Sequence, residues 1–398
     1  MRKNEAAYSE RFKRWQIKVQ IDGERPMFTC SIRDYPECNK SKCSAKCKKG
    51  KISAEKKADY WIAHRTVNDN TRCDILLDQF LERIELTGGT SHNHTTENFV
   101  RIRIRPRIGC KKVGALRQDD LQAIIDHAYV NMEEGWLDKE GNYTVNKRKG
   151  MKLSAKTLRN IRATVMSFVQ FCRDKGVSNF HPETLKIPTS AKKSKKTILH
   201  VAEIVKLFTI DTTRYKNEIV KDRFIHAYRW AVVTGMRPGE IIGLMDDDIT
   251  GSKVTIGRSI NTYKELTDGK NENAPRTYTL DTHALTVREN QRAMLMDLGQ
   301  ISPYVFPGKN LSNATQNQLY NAWKRYCETN GIKNATTPYE LRHTFVSVNT
   351  NMPDALKRLV MGHSENMDTQ GIYGHEKADD MEAAAQHITE AFAKILGW

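Results

Sequence analysis

The sequence predicts a multidomain protein that is mainly α-helical and carries small β-sheets. Apolar residues recur at helical spacing over most of the chain, whereas a stretch near the start and another in the second half alternate as strands do. A length of 398 residues suggests two or three domains. We predict an α+β domain at residues 1–70, a helical domain at 71–187, a basic linker at 188–196, and a mostly helical domain with a small β-sheet at 197–398.

The composition excludes fibrous and disordered proteins. Hydrophobic residues make up 39% of the chain and charged residues 28%, which is an ordinary mixture for a protein with cores. No apolar run approaches the roughly 18–20 residues that span a bilayer. The charged N-terminus lacks the apolar segment of a secretory signal. We therefore expect a cytoplasmic protein whose eight cysteines stay reduced, with no disulfide framework.

Positive charge is concentrated at the start of the chain. The formal net charge is +17, and residues 1–67 hold 17 lysines and arginines against 8 acidic residues. Such a concentration favours a nucleic acid partner, because phosphates supply most of the affinity that does not depend on base sequence. Charge alone leaves a dispersed surplus on an ordinary soluble protein as an equal alternative.

The first segment reads as two strands followed by a helix. Residues Arg14–Ile21 alternate apolar and polar, Asp22-Gly23 marks a turn, and Met27–Ile32 is the expected partner strand. Ser53 is the expected N-cap of the helix that follows.

The second segment reads as helices. Arg72–Leu86 and Leu116–Met132 are helical patterns, and Ala155–Lys175 is the clearest one. Residues 101–109 alternate as a strand would, but Pro106 argues against a central strand. We keep both interpretations open and prefer a helix that ends before Pro106.

Basic residues suggest where this segment meets DNA. They lie on the polar face of the 155–175 helix and in the linker: Lys156, Arg159, Arg162, Lys192, Lys193, Lys195 and Lys196. The alternative is a solvated face with no partner.

The last segment opens with helices, including Phe224–Val233. Strands are expected at Val254–Ile260 and Thr277–Asp281, on either side of a polar hairpin, and helices follow to the C-terminus.

Four motifs in this segment carry candidate chemistry. In the first, Gly235 ends one helix and Pro238 begins the next, so Arg237 lies on a sharp corner. In the second, Thr337 and Glu340 form a capping box at a helix start.

The second motif also carries Tyr339 and Arg342, which share a helix face. An arginine in the first turn of a helix suits a phosphate. In the third motif, His363 follows a helix that stops at Gly362, and in the fourth, Tyr373 lies between two glycines. Each motif alone fits an ordinary structural role.

Together and in this order, the four motifs closely resemble those of the tyrosine recombinase (phage integrase) family. The matching stretches are TGMRPGEIIGL, TPYELRHTF, LVMGH and TQGIYGH, within residues 197–376. The resemblance implies that Arg237 and Arg342 are the two catalytic arginines, that His363 is the histidine of the third motif, and that Tyr373 is the nucleophile. It also implies a catalytic lysine on a β-hairpin; Lys270 fits best and Lys264 is the alternative. Glu240 would support Arg237 or the hairpin.

The chain departs from the family pattern at one position. The family usually has histidine three residues before the second arginine, where this chain has Tyr339. A neutral phenol is a poor base near pH 7 but a good hydrogen-bond donor, so we expect Tyr339 to help hold the phosphate. His343 directly follows Arg342, so we expect it on a different face, where it would be a poor substitute for that histidine.

The resemblance implies an integrase that cuts and rejoins DNA to integrate and excise a mobile element, a phage or a conjugative transposon. Tyr373 would attack a DNA phosphodiester and form a 3′-phosphotyrosine, and Lys270 would protonate the leaving 5′-oxygen. No cofactor and no metal are implied. Residues 1–70 would bind arm-type sites, 71–187 (a SAM-like domain) core sites, and 197–398 would be catalytic.

The implied partners are double-stranded DNA, with core and arm attachment sites, and three further protomers in a tetramer. An excision factor and a host DNA-bending protein are further candidates, no membrane partner is expected, and the location would be a bacterial cytoplasm, at the nucleoid. The tail Asp379–Trp398 carries an apolar stripe that would dock on a neighbouring protomer.

Two other functions and one metal site remain as alternatives. A type IB topoisomerase uses the same chemistry on one duplex, and an inactive DNA-binding regulator would keep only the fold. Four cysteines, Cys30, Cys38, Cys43 and Cys47, are spaced 8, 5 and 4 residues apart. They could bind structural zinc, but they lack a C-x₂-C pair, which disfavours it.

Overall fold

The chain forms two compact units, residues 1–194 and 195–398. The computed structural model describes residues 4–20, 25–30, 44–64, 67–138, 141–193, 196–267, 275–362 and 378–397. As predicted, the described parts are mainly helical with small antiparallel sheets. The division of the chain into three domains stays a prediction.

The first unit begins with a small sheet covered by one helix. Strands β1 (Ala7–Ser9), β2 (Arg14–Lys18) and β3 (Met27–Thr29) form an antiparallel sheet in that order. Helix α1 (Lys48–His64) packs on it, around a core that includes the apolar face of β2. Both predicted strands are confirmed, although shorter, and β1 was not predicted.

The expected N-cap of α1 was wrong. The helix begins at Lys48, five residues before Ser53, and Ser53 is buried within it. The sulfur of Cys47 accepts a hydrogen bond from the Gly50 amide at 3.4 Å, and the Cys47 carbonyl accepts one from Lys51. Cys47 thus satisfies donors that a serine was expected to satisfy, since the first amides of a helix lack partners within it.

The rest of the first unit is a helical bundle with one hairpin. Its elements are α2 (Cys73–Thr87), α3 (Thr90–Phe99), α4 (Arg105–Ile108), α5 (Gln118–Val130), β4 (Gly135–Leu137), β5 (Tyr143–Val145) and α6 (Ala155–Asp174). The helices enclose a separate apolar core that runs from Cys73 to Ala191. The α5 and α6 predictions are confirmed, and the β4–β5 hairpin between them was not predicted.

The helix through residues 101–109 does not stop before Pro106. A π-helical turn at Val100–Ile104 joins α3 to α4, and Pro106 lies in the first turn of α4. Proline has no amide hydrogen and is tolerated where a helix begins, because the first-turn donors are unpaired there. The helical interpretation is therefore confirmed, whereas the predicted end point was wrong.

Helix α6 is capped as expected. The Ser154 hydroxyl accepts a hydrogen bond from the Thr157 amide at 3.3 Å, and Gly176 follows the helix with a φ of +69°. The Ala155 amide donates to the Lys192 carbonyl at 3.0 Å, and Ala191 is buried in the core of this unit. Part of the predicted linker therefore packs against the first unit.

The second unit is mostly helical. Its helices are α7 (Val201–Thr209), α8 (Ile225–Thr234), α9 (Pro238–Gly243), α10 (Thr282–Asp297), α11 (Gln316–Asn330), α12 (Pro338–Val348), α13 (Asp354–Met361) and α14 (Ala378–Leu396). Its strands are β6 (Thr212–Tyr215), β7 (Glu218–Lys221), β8 (Ile249–Thr250), β9 (Lys253–Ile256), β10 (Ser259–Ile260), β11 (Leu266–Thr267) and β12 (Arg276–Thr279).

The sheets of this unit are small. Strands β12, β9 and β8 form one antiparallel sheet in that order, and β10 pairs with β11 in a polar hairpin. The predicted strand Val254–Ile260 is thus two strands in two sheets, and the hairpin of β6 and β7 was not predicted. Within the described parts, no helix is long and apolar enough to cross a membrane.

The apolar stripe of the tail packs against its own unit. In α14, Ala384, Ile388 and Phe392 are buried in the core of the second unit. The helix packs on α7, α10, α13 and β12, and the Phe392 ring lies 6.0 Å from the buried His283 ring. The chain's own core thus buries the stripe in this structure, and docking of the tail on a neighbouring protomer stays a prediction.

Replacing Phe392 with alanine should lower the free energy of unfolding of the isolated chain by about 3–5 kcal/mol, because the side chain is fully buried. Lys394→Ala, on the exposed face of the same helix, should change it by less than about 0.5 kcal/mol. Urea unfolding measures both. An unchanged free energy in Phe392→Ala would mean that the tail docks elsewhere.

Candidate active site

The corner between α8 and α9 places Arg237. Gly235 ends α8 with a φ of +64°, and a β-carbon there would lie 2.5 Å from the Phe345 ring, so only glycine fits. Pro238 opens α9, as predicted. Arg237 is the N-cap residue of α9, and its side chain is mostly buried.

Glu240 is the centre of a buried ionic network. Its carboxylate accepts hydrogen bonds from the Arg237 guanidinium at 2.7 Å and the Arg237 amide at 2.9 Å. Arg276, at the start of β12, donates to both carboxylate oxygens, at 3.2 and 3.0 Å. The predicted support of Arg237 by Glu240 is present, and Glu240 also ties the β-sheet to the corner.

Arg342 approaches the same corner from α12. It is 1% exposed, and its guanidinium donates to the carbonyls of Gly235 at 2.6 Å and Met361 at 2.7 Å. Arg237 and Arg342 therefore come together although 105 positions separate them in the sequence.

The three arginines share the C-terminal end of α13. Arg276 Nε donates to the Val360 carbonyl at 2.7 Å, Arg342 to the next carbonyl, and Arg237 to the Gly362 carbonyl at 3.0 Å. The last carbonyls of a helix lack partners within it and carry partial negative charge. Three consecutive carbonyls at one helix end are thus each held by a different arginine.

Burial and charge shift the pKa values of this network in opposite directions. Burial and the nearby charge of Arg237 lower the pKa of Arg342 to about 10, so it stays protonated at neutral pH. Burial would raise the pKa of Glu240, but the charges of Arg276 and Arg237 outweigh it and lower that pKa below its usual value. Glu240 is therefore ionised at neutral pH.

The start of α12 carries Tyr339, three residues before Arg342. The Glu340 carboxylate accepts a hydrogen bond from the Thr337 amide at 2.8 Å, the predicted contact at this helix start. Tyr339 is 48% exposed, so its phenol can reach a ligand at the surface.

Tyr339 also contacts His343. Their rings meet edge to face with centroids 5.2 Å apart, because they lie four residues apart on α12. The expectation that His343 lies on another face was wrong with respect to Tyr339. Burial and the charge of Lys196 lower the pKa of His343, which keeps its imidazole neutral at pH 7.

Three of the predicted catalytic residues, Lys270, His363 and Tyr373, lie outside the described residues. By chain position, Lys270 falls between β11 and β12, on the connection that leads to Arg276. His363 directly follows the arginine-bound end of α13. Lys264, the alternative lysine, is exposed in the turn of the β10–β11 hairpin, with a φ of +68°.

The predicted DNA-binding residues fall into two groups. Lys156 and Arg159 are exposed on α6. In the predicted linker, Lys192, Lys193 and Lys196 are exposed as well, and Lys195 lies outside the described residues. Arg162 is half-buried, and it donates to the Leu185 carbonyl at 3.2 Å. Arg162 thus has a structural contact, which the sequence pattern did not indicate.

The zinc alternative gains no support. Among the described residues, no group of histidine, cysteine and carboxylate side chains could hold a metal ion. Cys30 and Cys47 are described, and the Cys30 sulfur accepts a hydrogen bond from the Trp15 amide at 3.3 Å. Cys38 and Cys43 lie outside the described residues.

The sequence analysis missed Arg276. Arg276 directly precedes the predicted strand Thr277–Asp281, and the sequence pattern gave it no role. A basic residue buried next to a sheet needs an acidic partner, and Glu240 in the first motif was the available one. This pairing is the signal that could have identified Arg276.

Residues 197–379 match the model of the Phage integrase family. This part of the chain is a phage integrase domain. The motifs and the arginine network lie inside the matched stretch, as the resemblance implied. No protein of known, curated function matches the chain.

Solved integrase structures share the fold. The Tn1549 transposon integrase in complex with circular intermediate DNA matches with a TM-score of 0.56 and 17% identity, over 78% of this chain and 98% of that one. A lambda integrase tetramer bound to a Holliday junction matches with a TM-score of 0.53 and 13% identity, over 87% of this chain and 95% of that one. A lambda integrase dimer bound to a COC′ core site matches with a TM-score of 0.53 and 12% identity, over 96% of this chain and 94% of that one. At these identities the likeness shows the multidomain integrase fold.

Replacing Glu240 with glutamine should destabilise the protein by about 3–5 kcal/mol, since it leaves buried arginine charges without their anion. The folded-state pKa of Glu240 lies below the unfolded value near 4.5, so its contribution is present above that pH and lost as the pH falls through the folded-state pKa. The variant should therefore lose less stability on acidification than the parent chain does.

Urea unfolding at several pH values measures this difference. Glu328→Gln, on the exposed face of α11, is the control and should stay within about 0.5 kcal/mol of the parent. Equal stability of Glu240→Gln and the parent chain at pH 7 would contradict the buried network.

Proposed function

We propose that this protein is a site-specific DNA recombinase that integrates and excises a mobile element through a 3′-phosphotyrosine intermediate. The observation that carries the proposal is the convergence of Arg237 and Arg342 at one corner, inside a phage integrase domain. Two guanidiniums held at fixed positions are suited to the negative charge that develops on a phosphodiester under attack.

The proposed reaction proceeds in two transfers. The Tyr373 hydroxyl attacks the phosphorus, the bond to the 5′-oxygen breaks, and Lys270 protonates that oxygen as it leaves. A 5′-hydroxyl of the partner strand then attacks the phosphorus, the bond to the Tyr373 oxygen breaks, and a phosphodiester and the free Tyr373 side chain are restored. The covalent link conserves the energy of the broken bond, so no nucleotide cofactor is needed.

We assign the remaining site residues by their positions. Arg237, Arg342 and His363 would stabilise the non-bridging oxygens. Tyr339 would donate a hydrogen bond to the phosphate, because its half-exposed phenol is adjacent to Arg342 and a neutral phenol is a poor base at pH 7. Neutral His343, in contact with the Tyr339 ring, is a described group in α12 that can accept a proton.

The rest of the chain would bind DNA. We propose that residues 1–70 contact arm-type sites and that 71–187 contact core sites, partly through Lys156 and Arg159. Residues 188–196 would link them to the catalytic domain and contact DNA through Lys192 and Lys193. Four protomers would act on two duplexes, as the lambda integrase tetramer does on a Holliday junction. In a cell the protein would work at the bacterial nucleoid, on a prophage or a conjugative transposon.

The comparisons favour this function over its two rivals. The matching structures are integrases with DNA, including a transposon circular intermediate. The sequence keeps Arg237, Arg342, His363 and Tyr373, which disfavours an inactive regulator. A topoisomerase of type IB would relax supercoiled DNA without exchanging strands between duplexes, so an assay with two labelled duplexes separates the two enzymes.

Tyr373→Phe should abolish the covalent protein–DNA adduct and leave DNA affinity unchanged within about twofold, since only the nucleophilic oxygen is lost. The substrate is a nicked duplex that spans the junction of the element and its flanking DNA. The adduct is detected by its retarded migration in a denaturing gel.

Tyr263→Phe, in the turn of the exposed β10–β11 hairpin, is the matched control and should form the adduct as the parent chain does. An adduct with Tyr373→Phe would assign the nucleophile to another residue. No adduct with either the parent chain or the control would contradict the proposed function.

A further inference from the structure

The segment between α5 and α6 carries a basic loop that the motifs of the family domain do not include. Four exposed cations lie within six positions: Lys147, Arg148, Lys149 and Lys152. The loop follows the β4–β5 hairpin and leads into the N-terminus of α6. Among the described residues, the acidic contact of these four cations is an ion pair of Lys149 with Glu134.

The loop is held from beneath by Asn131. This residue ends α5 in the left-handed conformation, with a φ of +51°, and is 1% exposed. Its side-chain amide donates to the carbonyls of Arg148 at 2.6 Å and Met151 at 3.2 Å, and its own carbonyl accepts from the Gly150 amide at 2.8 Å. One buried asparagine therefore fixes the backbone at three points of the loop.

A second buried asparagine completes the support. Asn146 donates to the Asn131 side-chain oxygen at 3.2 Å and to the Glu133 carbonyl at 2.9 Å, and its own oxygen accepts from the Arg148 amide at 3.1 Å. Arg103 also donates to Asn131, at 2.6 Å. Buried amides are costly to desolvate unless they are fully hydrogen-bonded, and here the bonds go to the loop.

The loop is continuous with the face of α6 that we assign to DNA. Lys152 lies over the Tyr129 ring at 5.1 Å, and the Tyr129 hydroxyl contacts Ser190 at 2.9 Å. The Ala155 amide meets the Lys192 carbonyl at the start of α6. The N-terminal end of α6 itself attracts anions, so its dipole adds to the charges of the loop.

We propose that residues 146–152 form a preorganised phosphate-binding loop that grips the DNA backbone beside α6. Four like charges at fixed positions repel one another, and an ordered row of anions relieves that repulsion. A basic loop that is only solvated needs no buried anchor. A loop that a buried anchor already holds in its binding conformation gains affinity, because it does not have to be ordered on binding. The inference rests on the proposed function, since it extends the DNA surface assigned there.

The test is the salt dependence of DNA binding by the full chain. The double variant Lys147→Gln, Arg148→Gln removes two exposed charges and leaves the asparagine contacts, which involve only the loop backbone. With a short duplex of mixed sequence, the slope of log affinity against log salt should become shallower by about 1.8, or about 0.9 for each lost phosphate contact. Fluorescence anisotropy at several salt concentrations gives the slope.

The control is Arg83→Gln, Lys175→Gln, which removes the same charge from the same unit. Lys175 follows α6, about 30 Å from its start by helix rise, and it contacts Gln79, one helical turn from Arg83 on α2. This variant should keep the parent slope. An unchanged slope in the loop variant, or an equal change in the control, would overturn the proposal.

Asn146→Ala tests the anchor separately. It keeps every charge, so the slope should stay near the parent value while affinity falls several-fold, because the loop must then be ordered on binding. Parent-like affinity would overturn the role of the anchor. If Asn146→Ala fails to fold, the exposed pair still decides the question.

The covalent adduct assay separates this proposal from the function on which it rests. Normal slopes in the loop variant together with a Tyr373-dependent adduct would refute the loop alone. A shallower salt slope in the loop variant, with no adduct from the parent chain, would support the phosphate-binding loop and refute the proposed recombinase function.

Discussion

The carboxylate of Glu240, buried between Arg237 and Arg276, forms the interaction on which the rest of the second unit depends. It compensates charges that could not otherwise be buried, and it joins the α8–α9 corner to the first residue of β12. With Arg342, the same arginines hold the three carbonyls at the end of α13. One anion thus fixes the relative positions of a corner, a strand and a helix end.

This network explains how the site is assembled from distant parts of the chain. His363 follows the held helix end, and the connection that contains Lys270 leads into Arg276. The contacts of the arginines therefore hold the ends of the two chain segments to which the proposed catalytic residues Lys270 and His363 belong. A guanidinium suits this role because its planar group can donate to a carboxylate and a carbonyl at once.

Much of the fold and the corner could be predicted from local sequence signals. The caps of α6 and α9 follow from Ser154 and Pro238, and the α6 core face follows from its spacing. Partners distant in sequence could not be predicted. The stripe of α14 shows that Phe392 is buried but not against which chain, and nothing local reveals that Arg276 meets Glu240 or that Asn131 anchors a loop. Pro106 was misjudged because a π-helical turn accommodates it.

The most direct test of the network is a double-mutant cycle between Glu240→Gln and Arg276→Met, read as the rate of covalent adduct formation on nicked DNA. If the two residues act as one unit, removing Arg276 from the Glu240 variant costs nothing further, and the double variant is no slower than Glu240→Gln alone. Rate losses that multiply, so that the double variant is slower by the product of the two single effects, would contradict the central role of this ion pair.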